Sequence, residues 1–330
     1  EKAREYIEKG MGRNMTAESH RNKIVVVGAG NVGEAIAYTL MVRQQANDIV
    51  LVDLNEERAL GAALDVAQGT SFFNQVWVRK GGYEECADAD LVIITAGVAR
   101  KPGQTRLELA KTNISIVKSI TKSVMEYAKN PMILVVSNPA DVTTVAVWEE
   151  SGLSRNRVIG SGTSLDTARF RYFISQALDV NITDVHGYIL GEHGDSQVPI
   201  WSTLTVGGVP VDEYAAQMGV AIDREAIAKS TREGGADIIK RKGATFYGIA
   251  MAVSTIVEAI MKDENAILPV AHVLSERFGK WAGVAMSLPC IVGCDGIEKT
   301  LNLPMSQEET EAMDRSADIL REFDKNVKNM

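Results

Sequence analysis

The first half of the chain alternates between short apolar runs and longer amphipathic stretches. Apolar runs that predict strands occur at Lys23–Val27, Ile49–Val52, Leu91–Thr95, Ile133–Ser137 and Val158–Ile159. Between most of them, stretches such as Glu34–Val42 and Leu107–Tyr127 carry apolar residues at the spacing of a helix face. Apolar strands that alternate with helices indicate a parallel sheet covered on both faces. Ligands of such sheets bind beyond the carboxyl ends of the strands, so the loops that follow the strands are the candidate sites.

The pattern changes after about Gly162. The elements predicted beyond it are a helix at Asp166–Leu178, strand-like pieces at Val185–Leu190 and Thr203–Val206, and long helices from about Arg224 to Lys262 and from Gln307 to the end. This mixture of helices and strands predicts a second, α+β domain.

The segment 1–21 precedes the two predicted domains, and neither of them offers an element for it to pack against. Ala3, Tyr6, Ile7 and Met11 have helical spacing, which predicts an N-terminal arm that packs on another subunit, with a disordered tail as the alternative. The segment has neither the apolar core nor the A-x-A site of a secretory signal. No apolar run approaches the roughly 18 residues of a membrane span. We therefore expect a cytoplasmic protein without a membrane anchor.

Length and composition narrow the classes of function. The 330 residues suffice for about two domains, and 45% hydrophobic with 24% charged residues is typical of a globular protein. With 43 acidic and 35 basic side chains the net charge is -8, which argues against nucleic acid as the main partner. The three cysteines lack the number of a disulfide framework and the spacing of a zinc site. We expect a reducing compartment and no metal.

A glycine-rich turn follows the first strand. Gly28-Ala29-Gly30-Asn31-Val32-Gly33 reads G-x-G-x-x-G and leads directly into a helical stretch. Gly28 permits the tight turn, Gly30 lets a pyrophosphate approach the backbone, and Gly33 lets helix and strand pack closely. The helix N-terminus adds partial positive charge. The motif predicts a Rossmann turn that binds a dinucleotide.

Asp53 supports this prediction because it ends the next strand. A carboxylate there accepts hydrogen bonds from an adenosine ribose, although an ordinary strand-end turn residue is the alternative. It would repel a 2′-phosphate, and Leu54 and Asn55 add no cation to bind one, so NAD is favoured over NADP. The expected fold class is α/β: an NAD-binding Rossmann domain with a doubly wound parallel sheet over residues 22–162, then a mixed α+β substrate and catalytic domain over residues 163–330.

The loop that follows Leu91–Thr95 carries three cations, Arg100, Lys101 and Arg106, beside a Pro-Gly turn. A cationic loop at this edge of the sheet suits a lid that closes over an anionic substrate and excludes water. A solvated basic surface loop is the alternative.

Polar residues also follow the next two strands. Asn138 precedes Pro139 and is expected at the same sheet edge, although an ordinary Asn-Pro turn is the alternative. Asp166 and Arg169 are three residues apart and share a helix face. They could form a surface ion pair, or the carboxylate could orient an imidazole while the guanidinium grips a substrate carboxylate.

His193 is the candidate imidazole among four histidines. It lies in Leu190-Gly191-Glu192-His193-Gly194-Asp195-Ser196, where glycines after a strand-like run form a loop that can present a side chain to a cleft. A structural histidine is the alternative.

Together these motifs resemble the NAD-dependent L-lactate and L-malate dehydrogenases. The resemblance runs from about Asn22 to the C-terminus and rests on VGAGNVG with Asp53, GVARKPGQTR, SNPAD, GSGTSLDTARFR, LGEHGDS and RKGAT. It implies that His193 gives or takes the proton on the substrate oxygen while hydride moves between the nicotinamide C4 and the substrate carbon. Asp166 would fix the imidazole tautomer, and Arg106 would polarise the reacting carbonyl.

The same resemblance assigns the binding residues. Arg169 would hold the substrate carboxylate, Asn138 would bond the substrate oxygen, and Thr245 would line the pocket. The cofactor contacts that it implies are Gly28, Gly30, Asn31, Val32, Gly33, Asp53, Gly97, Asn113 and Asn138.

Arg100 leaves two substrates open. Lactate dehydrogenases of the family usually carry glutamine there, whereas malate dehydrogenases carry an arginine that can pair with the second carboxylate of oxaloacetate. Thr245 and the stretches GEHGDS, DTARFRY and RLELAKTN look more like lactate dehydrogenases. The sequence favours L-lactate dehydrogenase, with L-malate dehydrogenase as the alternative and a non-catalytic NAD-binding protein as a third possibility.

Arg171 and His186 resemble the fructose 1,6-bisphosphate effector site of allosteric bacterial lactate dehydrogenases, where two subunits meet. The same pair also occurs in non-allosteric relatives, and long N-terminal arms are typical of non-allosteric tetramers. The resemblance implies a small 2-keto or 2-hydroxy acid substrate, a place in glycolysis and pyruvate fermentation, and a homotetramer, with a dimer as the alternative.

Overall fold

A computed structural model describes residues 22–72, 76–99, 103 and 105–329 of the protein. The expected N-terminal arm, residues 1–21, and the lid residue Arg100 lie outside these ranges. No helix within them is long and apolar enough to cross a membrane.

Six parallel strands form the first part of the main sheet. They are β1 (Lys23–Val27), β2 (Asp48–Val52), β3 (Trp77–Lys80), β4 (Leu91–Ile94), β5 (Ile133–Val135) and β6 (Val158–Gly160). Their order across the sheet is β3-β2-β1-β4-β5-β6. The direction of winding reverses between β1 and β4, which is where such sheets open a ligand crevice at their carboxyl ends. The predicted α/β doubly wound sheet is confirmed.

Helices cover both faces of these strands. They are α1 (Asn31–Val42), α2 (Glu56–Gly69), α3 (Arg106–Tyr127) and α4 (Ala140–Ser151). Alternate residues of β1 point to opposite layers: Ile24 belongs to the apolar cluster that contains Leu40 of α1, and Val25 to the cluster that contains Val117 of α3. Full burial of each such side chain contributes about 1.5–3 kcal/mol. This two-sided packing holds the carboxyl edge of the sheet in a fixed position.

The second half of the chain extends the same sheet. Strands β10 (Ala266–Val273), β11 (Ala285–Gly293) and β12 (Gly296–Thr300) add antiparallel beyond β6 and bring it to nine strands. A separate three-stranded sheet consists of β7 (Val185–Leu190), β8 (Val198–Val206) and β9 (Val209–Pro210). The helices of this half are α5 (Ser164–Leu178), α6 (Val211–Met218), α7 (Arg224–Lys242), α8 (Tyr247–Met261) and α9 (Gln307–Lys328).

The helical stretch predicted from about Arg224 to Lys262 consists of two helices, α7 and α8. Gly243 takes a left-handed φ of 84° and its N–H donates to the carbonyl oxygen of Ile239, which ends α7. Thr245 therefore lies in a break between two helices. The sequence pattern also fails to predict β3 and β10 to β12, because their apolar runs are short or interrupted, as at Pro269 and His272 in β10.

Candidate active site

A cavity of about 360 Å³ opens at the carboxyl ends of β1, β2 and β4. Its walls include Gly28, Gly30, Asp53, Gly97 and Ile120. The edge predicted from the strand pattern is therefore where the structure has room for a ligand.

The glycine turn forms a cradle in this cavity. Gly28 has a φ of 108°, and a Cβ there would lie 2.7 Å from the backbone nitrogen of Ala96. A Cβ on Gly33 would lie 1.8 Å from the carbonyl oxygen of Gly28, whereas a Cβ on Gly30 would meet nothing within 4 Å. Gly30 is the N-cap of α1. Because it has no side chain that could accept from the N–H groups of the first turn, at Asn31 to Gly33, these groups are suited to bind an anion.

Asp53 is held at the mouth of this cradle. Its Oδ2 accepts from the backbone N–H of Ala29 at 2.7 Å, and its Oδ1 accepts from that of Asn55 at 2.9 Å. Each carboxylate oxygen keeps a further lone pair for a ribose hydroxyl. Sequence reasoning missed Arg58, which lines the same cavity and donates from Nε to the carbonyl oxygen of Ala29 at 2.7 Å. The cradle and the carboxylate fit NAD.

Asn113 joins two loops at the sheet edge. It is 2% exposed, its Oδ1 accepts from the N–H of Val98 at 2.8 Å, and its Nδ2 donates to the carbonyl oxygen of Asn138 at 2.7 Å. The Asn138–Pro139 peptide is cis, and Asn138 itself is exposed. A Cβ on Gly97 would approach Asn113 within 3.3 Å. The structure thus gives Asn113 a tethering role, and its cofactor contact stays a prediction.

His193, Asp166 and Arg169 come together as the sequence predicts. The Nδ1 of His193 lies 2.5 Å from Oδ2 of Asp166, and Nη1 of Arg169 lies 3.2 Å from Oδ1 of the same carboxylate. The side chain of His193 is 26% exposed, whereas that of Asp166 is buried. Arg169 passes along Gly234 and Gly235 of α7, where Cβ atoms would lie 3.3 and 3.4 Å from its side chain. That glycine pair is a feature that sequence reasoning missed.

The electrostatics of this pair favour an imidazolium beside a carboxylate. The Asp166 carboxylate raises the pKa of His193 to about 9, against the effect of burial, and Asp141 adds to the rise. Burial opposes ionisation of Asp166, but His193 and Arg169 outweigh it and hold the pKa of Asp166 below its usual value. An imidazole with a pKa raised in this way carries a proton near neutral pH, and chemically it can donate that proton.

Arg106 contacts the same loop. It is the first residue of α3, and its Nη2 donates to Oε1 of the buried Glu192 at 2.7 Å. The other Glu192 oxygen accepts from the backbone N–H of Ser196 at 3.1 Å. Because Glu192 directly precedes His193, the pair brings Arg106 to the loop that holds the imidazole. Glu192 is a further residue whose role the sequence did not indicate.

The two effector candidates also lie close together. Arg171 on α5 donates from Nε to the carbonyl oxygen of Gly187 at 3.0 Å and stacks on Tyr188. His186, next to Gly187 on β7, is exposed. Thr245 is half-buried in the break between α7 and α8.

A dinucleotide cradle that leads to a His–Asp pair and two arginines defines an NAD-dependent oxidoreductase that acts on a CH–OH group. The lactate/malate dehydrogenase NAD-binding domain matches residues 22–160, and the α/β C-terminal domain of the same family matches residues 163–330. The chain belongs to the lactate/malate dehydrogenase family.

Similar proteins agree with this assignment. An L-lactate dehydrogenase from Nitratidesulfovibrio vulgaris is 44% identical over 91% of this chain and 98% of its own, and one from Acetivibrio thermocellus is 43% identical over 92% and 97%. The ligand-bound structure of a minor L-lactate dehydrogenase from Enterococcus mundtii is similar with a TM-score of 0.90 at 43% identity, covering 94% of this chain and 99% of that one. These names favour lactate over malate.

Proposed function

We propose that the protein is an L-lactate dehydrogenase that reduces pyruvate with NADH and oxidises L-lactate with NAD. The observation that carries the proposal is the His193–Asp166 pair beside Arg169, at the ligand edge of a sheet with a dinucleotide cradle. When bound, NADH supplies the hydride that reaches the keto carbon. The names of the similar proteins support lactate as the substrate.

His193 supplies the proton. Its Nδ1 is engaged by Asp166, so Nε2 is the atom that faces the substrate oxygen in this proposal. With a pKa raised to about 9 it is charged at pH 7 and donates to the oxygen as pyruvate is reduced. In the reverse direction the neutral ring accepts the proton from the lactate hydroxyl.

The two arginines bind different groups of the substrate. Arg169 is packed against α7 and presents a planar fork that suits a carboxylate. Arg106, 45% exposed, is free enough to leave Glu192 and polarise the keto oxygen. Asn138 bonds the same oxygen, and Thr245 lines the pocket.

The cofactor contacts proposed are those implied by the family motifs: Gly28, Gly30, Asn31, Val32, Gly33, Asp53, Gly97, Asn113 and Asn138. We also propose an arm over residues 1–21, an NAD-binding domain over 22–162, a catalytic domain over 163–330 and a homotetramer in the cytoplasm. Fructose 1,6-bisphosphate is proposed as an effector at Arg171 and His186. Pyruvate kinetics that do not change in its presence would refute this effector site.

Substrate choice is tested with pyruvate and oxaloacetate. Initial rates of NADH oxidation are measured for the wild type and Arg100→Gln, and we expect kcat/KM to favour pyruvate in both. The variant should prefer pyruvate over oxaloacetate more strongly, because it lacks the guanidinium charge that can pair with the second carboxylate of oxaloacetate. An oxaloacetate preference that collapses in the variant would make the enzyme a malate dehydrogenase.

A further inference from the structure

Asp141 is a buried carboxylate that contacts the loop carrying His193, and beyond its effect on the pKa of His193 the mechanism above assigns it no role. It lies in the first turn of α4 and is 3% exposed. Its Oδ2 accepts from the backbone N–H of His193 at 2.8 Å. Its Oδ1 is buried and has no hydrogen-bond partner among the described residues.

The hydrogen bond alone does not account for an aspartate at this position. The amide oxygen of an asparagine would accept the same N–H without placing a charge in the interior. A buried carboxylate with one unpartnered oxygen is unfavourable unless another charge compensates it. What distinguishes Asp141 from an asparagine is therefore the negative charge that it carries above about pH 7, which is the range in which His193 loses its proton.

Charged groups reach His193 from three elements. Asp166 and Arg169 approach from α5, Asp141 approaches from α4, and Glu192 precedes it on its own loop. Glu192 is paired with Arg106. Among the described residues, two carboxylates flank His193, one at the ring and one at the main chain, and Arg169 is the cation whose charge opposes them.

The two groups titrate in a mutually supporting way. Burial raises the pKa of Asp141 to about 7, while the charge of His193 and its backbone N–H act in the opposite direction. The charge of Asp141 in turn raises the pKa of His193. The position of Asp141 in the first turn of α4 also favours its anion through the helix dipole.

We propose that Asp141 is a positioning residue for proton transfer: it clamps the His193 main chain and, through its charge, helps to keep the imidazole protonated. This inference rests on the proposed function for its effect on catalysis. Its effect on His193 itself does not require turnover.

The test separates the hydrogen bond from the charge. Asp141→Asn keeps an acceptor and removes the charge, whereas Asp141→Ala removes both. Glu149→Gln is the matched control, because Glu149 is an exposed carboxylate on the same helix whose partners are Lys118 and Lys328. Each variant is followed by NMR titration of 13Cε1-labelled histidine in the unliganded protein, with His193→Gln to assign the resonance, and by the pH profile of kcat/KM for pyruvate.

We expect Asp141→Asn to lower the His193 midpoint, and the alkaline limb of pyruvate reduction with it, by roughly one pH unit. NADH binding should not change. Asp141→Ala should show the same shift and a further loss of kcat of roughly 10-fold, because the loop has lost its tether. Glu149→Gln should superimpose on the wild type.

A His193 titration in Asp141→Asn that matches the wild type would overturn the proposal. If the midpoint moves but the wild type does not reduce pyruvate, the proposed function fails and the role of Asp141 stands. Asp141→Ser provides another charge-removing variant if the asparagine protein does not fold. If no variant at this position retains the wild-type circular dichroism, the residue is structural and the proposal is wrong.

Discussion

Replacement of Asp166 by asparagine tests the centre of the site. The pKa of His193 is raised from 6.5 to about 9, mainly by this carboxylate. A shift of that size corresponds to about 3 kcal/mol of differential interaction between the two protonation states. If most of it is lost, the fraction of protonated His193 at pH 7.5 falls from nearly complete to roughly one tenth.

The assay is the pH profile of kcat/KM for pyruvate, with NADH binding by fluorescence as the control. Loss of protonation alone should reduce the rate about 10-fold at pH 7.5, and the loss should shrink toward pH 6. The misplaced tautomer adds a loss that does not depend on pH. An Asp166→Asn enzyme with the wild-type alkaline limb would refute the claim that Asp166 sets the charge of His193.

The same linkage predicts a pH dependence of stability. Because the folded pKa of His193 lies above its unfolded value, its contribution to the free energy of unfolding is complete below about pH 6.5 and is lost as pH rises through about 9. The free energy of unfolding of the wild type, measured with urea, should therefore decrease as pH rises through that window. In the Asp166→Asn variant it should depend less on pH. The same pH dependence of stability in both proteins would contradict the claim that Asp166 raises the pKa of His193.

Three other changes probe separate parts of the account. Arg169→Lys should reduce kcat/KM for pyruvate by about 10- to 100-fold with NADH binding unchanged, because an ammonium cannot reproduce the guanidinium fork; ordinary turnover would place Arg169 outside the site. Gly33→Ala should abolish NADH binding in calorimetry, since its Cβ would lie 1.8 Å from the oxygen of Gly28, and tight binding would refute the cradle. Arg79, with Lys23, lowers the pKa of Glu85 from 4.5 to about 2, so Glu85→Gln should lower the free energy of unfolding by up to about 3 kcal/mol at pH 7. The effect should disappear as pH falls from 4.5 to 2, and a constant difference across that range would count against the ion pair.

The sequence predicts the parts of the molecule that depend on local pattern. Strands that are apolar over most of their length, such as β1, and the spacing of the glycine turn are local signals, so the parallel sheet and the cradle can be predicted from them. The break at Gly243 and the strands β10 to β12 depend on tertiary context instead. Pro269 in β10, for example, lies opposite Pro289 of β11, a pairing that no local pattern indicates.

The candidate site divides in the same way. His193 and Asp166 stand in motifs with recognisable flanks, and the structure brings them together. Asp141 and Glu192 act through contacts 52 and 86 residues away in the chain, with the His193 backbone and Arg106 respectively. Contacts between residues so far apart in the chain produce no recognisable spacing in the sequence, so they become visible only in the folded structure.

The central claim is most directly tested by the product of the reaction. Purified protein is incubated with pyruvate and NADH, and L-lactate is measured with an enantiospecific assay for the wild type and His193→Ala. The account predicts stoichiometric L-lactate from the wild type, and NADH binding without turnover from the variant. Absence of L-lactate from the wild type, or undiminished turnover by His193→Ala, would contradict it.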